Sequence, residues 1–284
     1  MRGSGERAIR RSSAGVRAAV TLGGTALAVV AVALPASAAG EQPERLLLDA
    51  RITESSGLAS SGLHASVVWT HNDAGHSAQF YAVGADGMTR AAVDLPGVAP
   101  LDWEAIAQYR DAFGTSWLFV GDIGSNAGDR SEVVVHQVPE PTLLVDQTAP
   151  YTSYRLAYPD GGHDAEALLV DPRSGQVFVV TKEREGAGAV YAAPAVLSPT
   201  DVNVLTRVAD APSRVTDGCF LPDGRVVLRD YDRLFTYAGI GAGPTSSELP
   251  PSRQGESVAP TPDGLSVLVG SEGSGSALQL QPLP

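Results

Sequence analysis

Five times along this chain an acidic residue opens a short apolar run, and a second apolar run ending in polar groups follows. The pairs are "ESSGLA" with "VVWTHND", "DWEAIA" with "WLFVGDIG", "DAEALLV" with "VFVVTKE", "TDGCFL" with "VVLRDYD", and "GESVAP" with "VLVGSEG". The opening acids are Glu54, Glu104, Glu166, Asp217 and Glu256, at intervals of 50, 62, 51 and 39 residues. A four-stranded unit needs roughly 40–50 residues, and self-similarity at that period marks a repeat architecture. The runs are rich in Val, Leu, Phe and Trp and are bounded by turn residues, as strands are. "DPRSGQ", "LPDGR" and "TPDG" read as hairpin turns.

Each interval holds two further candidate strands, from "AQFYAVGA" and "MTRAAVDL" in the first to "RLFTYAGI" and a weak "TSSELP" in the fourth. The fifth unit has only "ALQLQPLP" before the chain ends; "ERLLLDARI", ahead of the first unit, supplies its missing outer strand. Joining the ends in one blade removes an open sheet edge. The expectation is an all-β fold, a five-bladed β-propeller over residues 39–284. A six-bladed ring with a degenerate blade around residues 139–165 is the alternative; otherwise the Pro-rich "VPEPTLLVDQTAP" is an enlarged loop.

Residues 1–38 read as a cleaved signal peptide: a basic start, a modest apolar stretch and "PASA". The run is short and rich in Gly, Ala and Thr, which favours export over a stable membrane anchor. Arg10 and Arg11 hint at twin-arginine export, but Ser12 and Ser13 follow them, so the general secretory route fits better. Cleavage removes five arginines and one glutamate, leaving 15 basic against 31 acidic side chains and a net charge of −16. Such a chain does not suit nucleic acid or an anionic membrane; it suits cations. Cys219 stands alone, so no intrachain disulfide forms, and it reads as filler of a small apolar site. Lys182 is the sole lysine among arginines, a skew that suggests a GC-rich genome such as an actinobacterial one. A monomer is expected.

In a propeller blade the start of the innermost strand and the end of the second lie at one rim. This sets Glu54 near His71, Asn72 and Asp73, and Asp102 and Glu104 near Asp122. It also sets Asp164 and Glu166 near Lys182 and Glu183, Asp217 near Arg229 and Asp230, and Glu256 near Glu272. Carboxylates 4 Å apart repel by about 4 kcal/mol at an effective dielectric of 20. Such a ring takes up protons, pairs with Lys182, Arg229, Arg130 or Arg253, or binds a cation. Calcium suits the last case, because it accepts six to eight oxygens in irregular geometry. The candidate metal ligands are Glu54, Asp73, Glu104, Asp122, Glu166, Asp217 and Glu256. The plainer alternative is that these acids accept backbone N–H groups and join adjacent blades.

"ESSGLA", "DWEAIA", "LFVGDIGSNAGDR", "YPDGGHDAEALLVDP" and "GESVAPTPDG" resemble secreted bacterial β-propellers grouped as the esterase-like activity of phytase and SdiA-regulated families. The resemblance covers most of the chain beyond residue 38 and is specific at "DWEAIA" through "GDIGSN" and at "HDAEALLV". More distantly, it implies the acidic, metal-holding mouth that calcium-dependent propeller phytases and lactonases use to polarise an ester, an analogy of fold.

Other motifs point less far. "GDIGSNAGDR" lacks the ligand order and closing Glu of an EF-hand, and "HNDAGH" matches no common zinc spacing. No G-x-S-x-G nucleophile elbow occurs. The expected function is a cation- or small-molecule-binding module, or alternatively a calcium-dependent ester or phosphoester hydrolase. In a hydrolase, Lys182 or Arg229 would steady a phosphate or oxyanion and His163 would act as general base. Without catalysis, the two cations would salt-bridge neighbouring acids.

Overall fold

A computed structural model describes residues 45–284. Among these residues the chain forms 22 strands in five sheets, and no helix is long and apolar enough to cross a membrane. The innermost strands are Ser55–Ser60, Trp103–Arg110, Ala165–Val170, Asp217–Phe220 and Gly255–Pro260. Each borders the next and the last returns to the first, so the five sheets close a ring. The fold is a five-bladed β-propeller.

Alternating side chains give each blade two faces, and each face packs on a neighbour. The apolar core is therefore five layers, one per blade junction. Trp69 and Phe80 of the first blade meet Trp103 and Leu118 of the second, and Val179 of the third meets Phe119 of the second. Leu169 and Phe178 meet Val226 and Leu228 of the fourth blade. Cys219 and Leu234 meet Val258 and Val267 of the fifth, whose Leu278 and Ala259 meet Leu58 and Tyr81 of the first. Full burial of each large side chain stabilises by roughly 1.5–3 kcal/mol.

The ring closes with a strand from the other end of the chain. Arg45 and Leu46 pair antiparallel with Leu278 and Ala277 on the outer edge of the fifth blade. Leu47 follows at 1% exposure, its N–H donating to Ser276 O at 2.8 Å. The segment 139–165 is not a sixth blade. It runs back to the first blade, where Gln147–Thr148 pairs in parallel with Val93 and Asp94, then returns as Thr152–Ala157, the fourth strand of the second blade. The hairpins at "DPRSGQ", "LPDGR" and "TPDG" turn on Gly175, Gly224 and Gly264, at φ 74°, 92° and 67°. A side chain there would meet its own backbone.

Candidate functional site at the axial mouth

Backbone hydrogen bonds fix which residues correspond between blades. The N–H groups of Asp73, Ile123, Lys182 and Glu272 donate to the carbonyls of Glu54, Asp102, Asp164 and Gln254. Two residues further on, Ser56, Glu104, Glu166 and Glu256 stand in register, each within or beside a break in strand pairing. These β-bulges re-aim a side chain out of the pleat. In the fourth blade pairing runs without a break, with Asp217 directly opposite Arg229, so that blade has no bulged residue at this place. The axial ring thus carries one serine and three acids, Glu104, Glu166 and Glu256, and Glu54 stands in register with Asp102 and Asp164.

The ring opens into a cavity of about 480 Å³. Asp73, Glu104, Asp164, Glu166 and Glu256 give it carboxylates; Lys182, Arg184 and Arg214 give it cations. Asn126, Tyr231 and Gln254 complete the wall. Asp73, Asp102 and Glu104 form a tighter group, each offering an oxygen within 4.8 Å of the others. A Cβ built on Gly124 would lie 2.4 Å from Glu104 Oε1 and 2.5 Å from Asp102 Oδ2. The two carboxylates therefore converge over one bare Cα. Among the described residues, Asp102 Oδ1 is buried with no hydrogen-bond partner, and so is Glu256 Oε2.

The charges are poorly solvated. Burial pushes Asp102 up to about 6, with Asp73 and Asp164 adding repulsion. Burial also raises Glu104 well above the carboxylate range, with Glu166, Asp73 and Asp102 reinforcing it. Glu166 rises to about 8 through burial, although Lys182 opposes the shift, and Glu272 rises to about 7 through burial and Glu256. Glu256 is raised by burial as well. Lys182 Nζ lies 2.5 Å from Glu166 Oε1. Burial pulls the ammonium down, but Glu166 outweighs it and leaves Lys182 raised. Lys182 and Arg214 both lie over the Tyr231 ring, at 5.4 and 4.7 Å from its centroid.

Of the candidate ligands, Asp73, Glu104, Glu166 and Glu256 share the cavity. Glu54 is half exposed and pairs with His76 at 3.2 Å. Asp122 accepts from the N–H groups of Leu101 and Asp102 at 2.9 and 3.1 Å and pairs with Arg130 at 2.9 Å. Asp217, 1% exposed, accepts from Gly218 N and Val258 N at 2.7 Å, stapling the fourth blade to the fifth.

Of the candidate catalytic groups, only Lys182 faces the cavity. Arg229 is buried between the fourth and fifth blades, donating to Asp230 O, Ser257 O and Gly270 O at 3.0–3.1 Å. His163 sits beside the Tyr158 and Tyr191 rings, 3.2 Å from Asp160 and 3.4 Å from Glu183.

Sequence reasoning passed over Arg184, Arg214, Tyr231 and Gln254. The first three lie in loops, but Gln254 stands in register with Asp102 and Asp164, so the repeat itself pointed to it. It also passed over Glu140. That carboxylate, 3% exposed, accepts from Trp69 Nε1 at 2.8 Å, Gly62 N at 3.1 Å and the hydroxyls of Ser61 and Ser116, joining the first two blades.

No family model matches the chain, and no curated protein matches it. Among solved structures the chain is similar to the soluble aldose sugar dehydrogenase of Escherichia coli, at 11% identity and a TM-score of 0.50, over 85% of this chain and 99% of that one. It is also similar to a gluconolactonase from Xanthomonas campestris, at 16% identity and a TM-score of 0.46, over 85% and 90% of the two chains. A glucose dehydrogenase shares 11% identity at a TM-score of 0.48, over 84% and 98%. The likeness is one of fold. At such identities a shared propeller does not carry a shared reaction.

Proposed function

We propose that the axial mouth holds a divalent cation, with calcium the ion its donors suit, and that the propeller is a cation-dependent binding module for a small anionic ligand. The observation that carries this reading is the convergence of Asp73, Asp102 and Glu104 within 4.8 Å, with Asp102 Oδ1 buried and unpartnered among the described residues. The donors are all carboxylate oxygens, the set a hard cation prefers. Lys182, Arg184 and Arg214 on the same cavity supply the charge for an anionic group. Export through residues 1–38 and a monomeric state belong to the same proposal; residues 1–38 lie outside the described residues.

A second reading, a calcium-dependent ester or phosphoester hydrolase like the propeller phytases and lactonases, draws on the same facing of cations and carboxylates. A bound ion would polarise the ester oxygen and lower the pKa of a water. Calorimetric calcium titration of the wild type and Glu104→Gln, with a screen of phosphoesters and lactones on the wild type and Lys182→Ala, tests both. Calcium binding that Glu104→Gln abolishes, with no hydrolysis, supports the module. Hydrolysis lost in a folded Lys182→Ala supports the enzyme. No binding in the wild type refutes the cation site on which both depend.

A further inference from the structure

The cleft between the fourth and fifth blades plays no part in the reading above. It encloses about 260 Å³ and is lined by Arg229, Ser252, Arg253, Ser276 and, as its only acid among the described residues, Glu272, together with others. Arg229 is 1% exposed and forms no ion pair among the described residues. Asp217, the acid paired opposite it, spends its oxygens on the N–H groups of Gly218 and Val258. Nε of Arg229 donates to Asp230 O, and Nη1 donates to Ser257 O and Gly270 O. Nη2 donates to nothing among the described residues. Burial lowers Arg229 to about 10, although Glu256, Asp217, Asp230 and Asp232 oppose the shift, and a buried guanidinium with an unspent donor edge is costly.

A glycine makes room for Nη2 itself. A Cβ built on Gly255 would lie 2.0 Å from Arg229 Nη2 and 2.8 Å from Ser252 Oγ. The guanidinium edge and the hydroxyl thus flank one bare Cα. Ser276 Oγ, in the same lining, is buried without a partner among the described residues. Arg253 Nη1 lies 3.7 Å from where a Cβ on Gly273 would stand, over a turn that borders the cleft.

We propose that this cleft is an oxyanion-binding site, taking a phosphate, sulfate or carboxylate group between Arg229 Nη2, the Arg253 guanidinium and the hydroxyls of Ser252 and Ser276. Guanidinium groups match planar and tetrahedral oxyanions with directed N–H donors. Arg229 is fixed by three hydrogen bonds, so binding costs it no ordering. The cleft shares no lining residue with the axial cavity, and its occupancy is tested apart from it.

The test is thermal unfolding of the purified protein against inorganic phosphate, with chloride at matched ionic strength as control and sulfate and acetate as further arms. The midpoint rises and saturates with phosphate and stays flat with chloride; the sulfate and acetate arms distinguish a tetrahedral from a planar preference. Arg253→Gln, at an exposed position, keeps the anion-free midpoint and weakens apparent affinity at least about tenfold, which is 1.4 kcal/mol. Ser276→Ala weakens it less, and Glu104→Gln leaves the response intact. An equal rise with chloride, an unchanged response in Arg253→Gln, or loss of the response in Glu104→Gln overturns the proposal.

Discussion

Asp102→Asn separates the electrostatic cost of the mouth from its use. Folded Asp102 titrates at about 6, because burial and then Asp73 and Asp164 disfavour its charge. In the unfolded chain it titrates at about 3.9. Between those values the folded state holds a proton that the unfolded state releases. Its stabilising effect is therefore full below about 4 and is lost as pH rises through 6. A displacement of about two pH units corresponds to just under 3 kcal/mol at most. Screening at the open mouth reduces this to roughly 1–2 kcal/mol. Asparagine keeps the shape and cannot ionise. Urea unfolding in chelator at pH 4 and pH 8 reads the difference. The variant is expected to exceed the wild type by about 1–2 kcal/mol at pH 8 and to match it closely at pH 4, while losing its response to calcium. Equal differences at both pH values, or no gain at pH 8, would refute the account of a strained carboxylate at this position.

Gly124→Ala puts a methyl group against Glu104 and Asp102, and calorimetry should show calcium binding abolished in a protein that stays folded. Asp217→Ala strands the N–H groups of Gly218 and Val258 between two blades, and denaturant unfolding should show a loss of roughly 2–4 kcal/mol. Leu47→Ala empties a core position beside the closing strand, for an expected loss of about 2–5 kcal/mol by the same assay.

The blade count and the closure could be read in the sequence because each blade repeats one problem: an apolar face on either side and a turn at each end. "ERLLLDARI" was legible as the closing strand because the fifth unit lacked an outer one. The register of the mouth was harder. A β-bulge adds a residue without changing composition, so Glu54, two residues early, looks like the partner of Glu104, whereas Ser56 holds that place. Asp122 and Asp217 look like ring acids too; only the fold shows that backbone N–H groups occupy them. Arg229 ends a strand, as Thr181 does just ahead of Lys182, yet the pleat turns its side chain into the blade junction. Arg184, Arg214 and Tyr231 come from loops whose approach to the axis no periodicity encodes. Gln147–Thr148 reaches the edge of the preceding blade, a long-range pairing of two residues that leaves no local signal.

The most direct measurement is thermal unfolding of the purified, chelated protein titrated with calcium, with magnesium in parallel. A ligand that binds only the native state at a hundredfold excess over its Kd stabilises by about 2.7 kcal/mol. For a domain of this size that is a rise of roughly 5–10 °C. The account predicts a saturating rise with calcium, little with magnesium, and none in Glu104→Gln. A midpoint indifferent to calcium, or one that rises equally in Glu104→Gln, would contradict a cation site at the axial mouth.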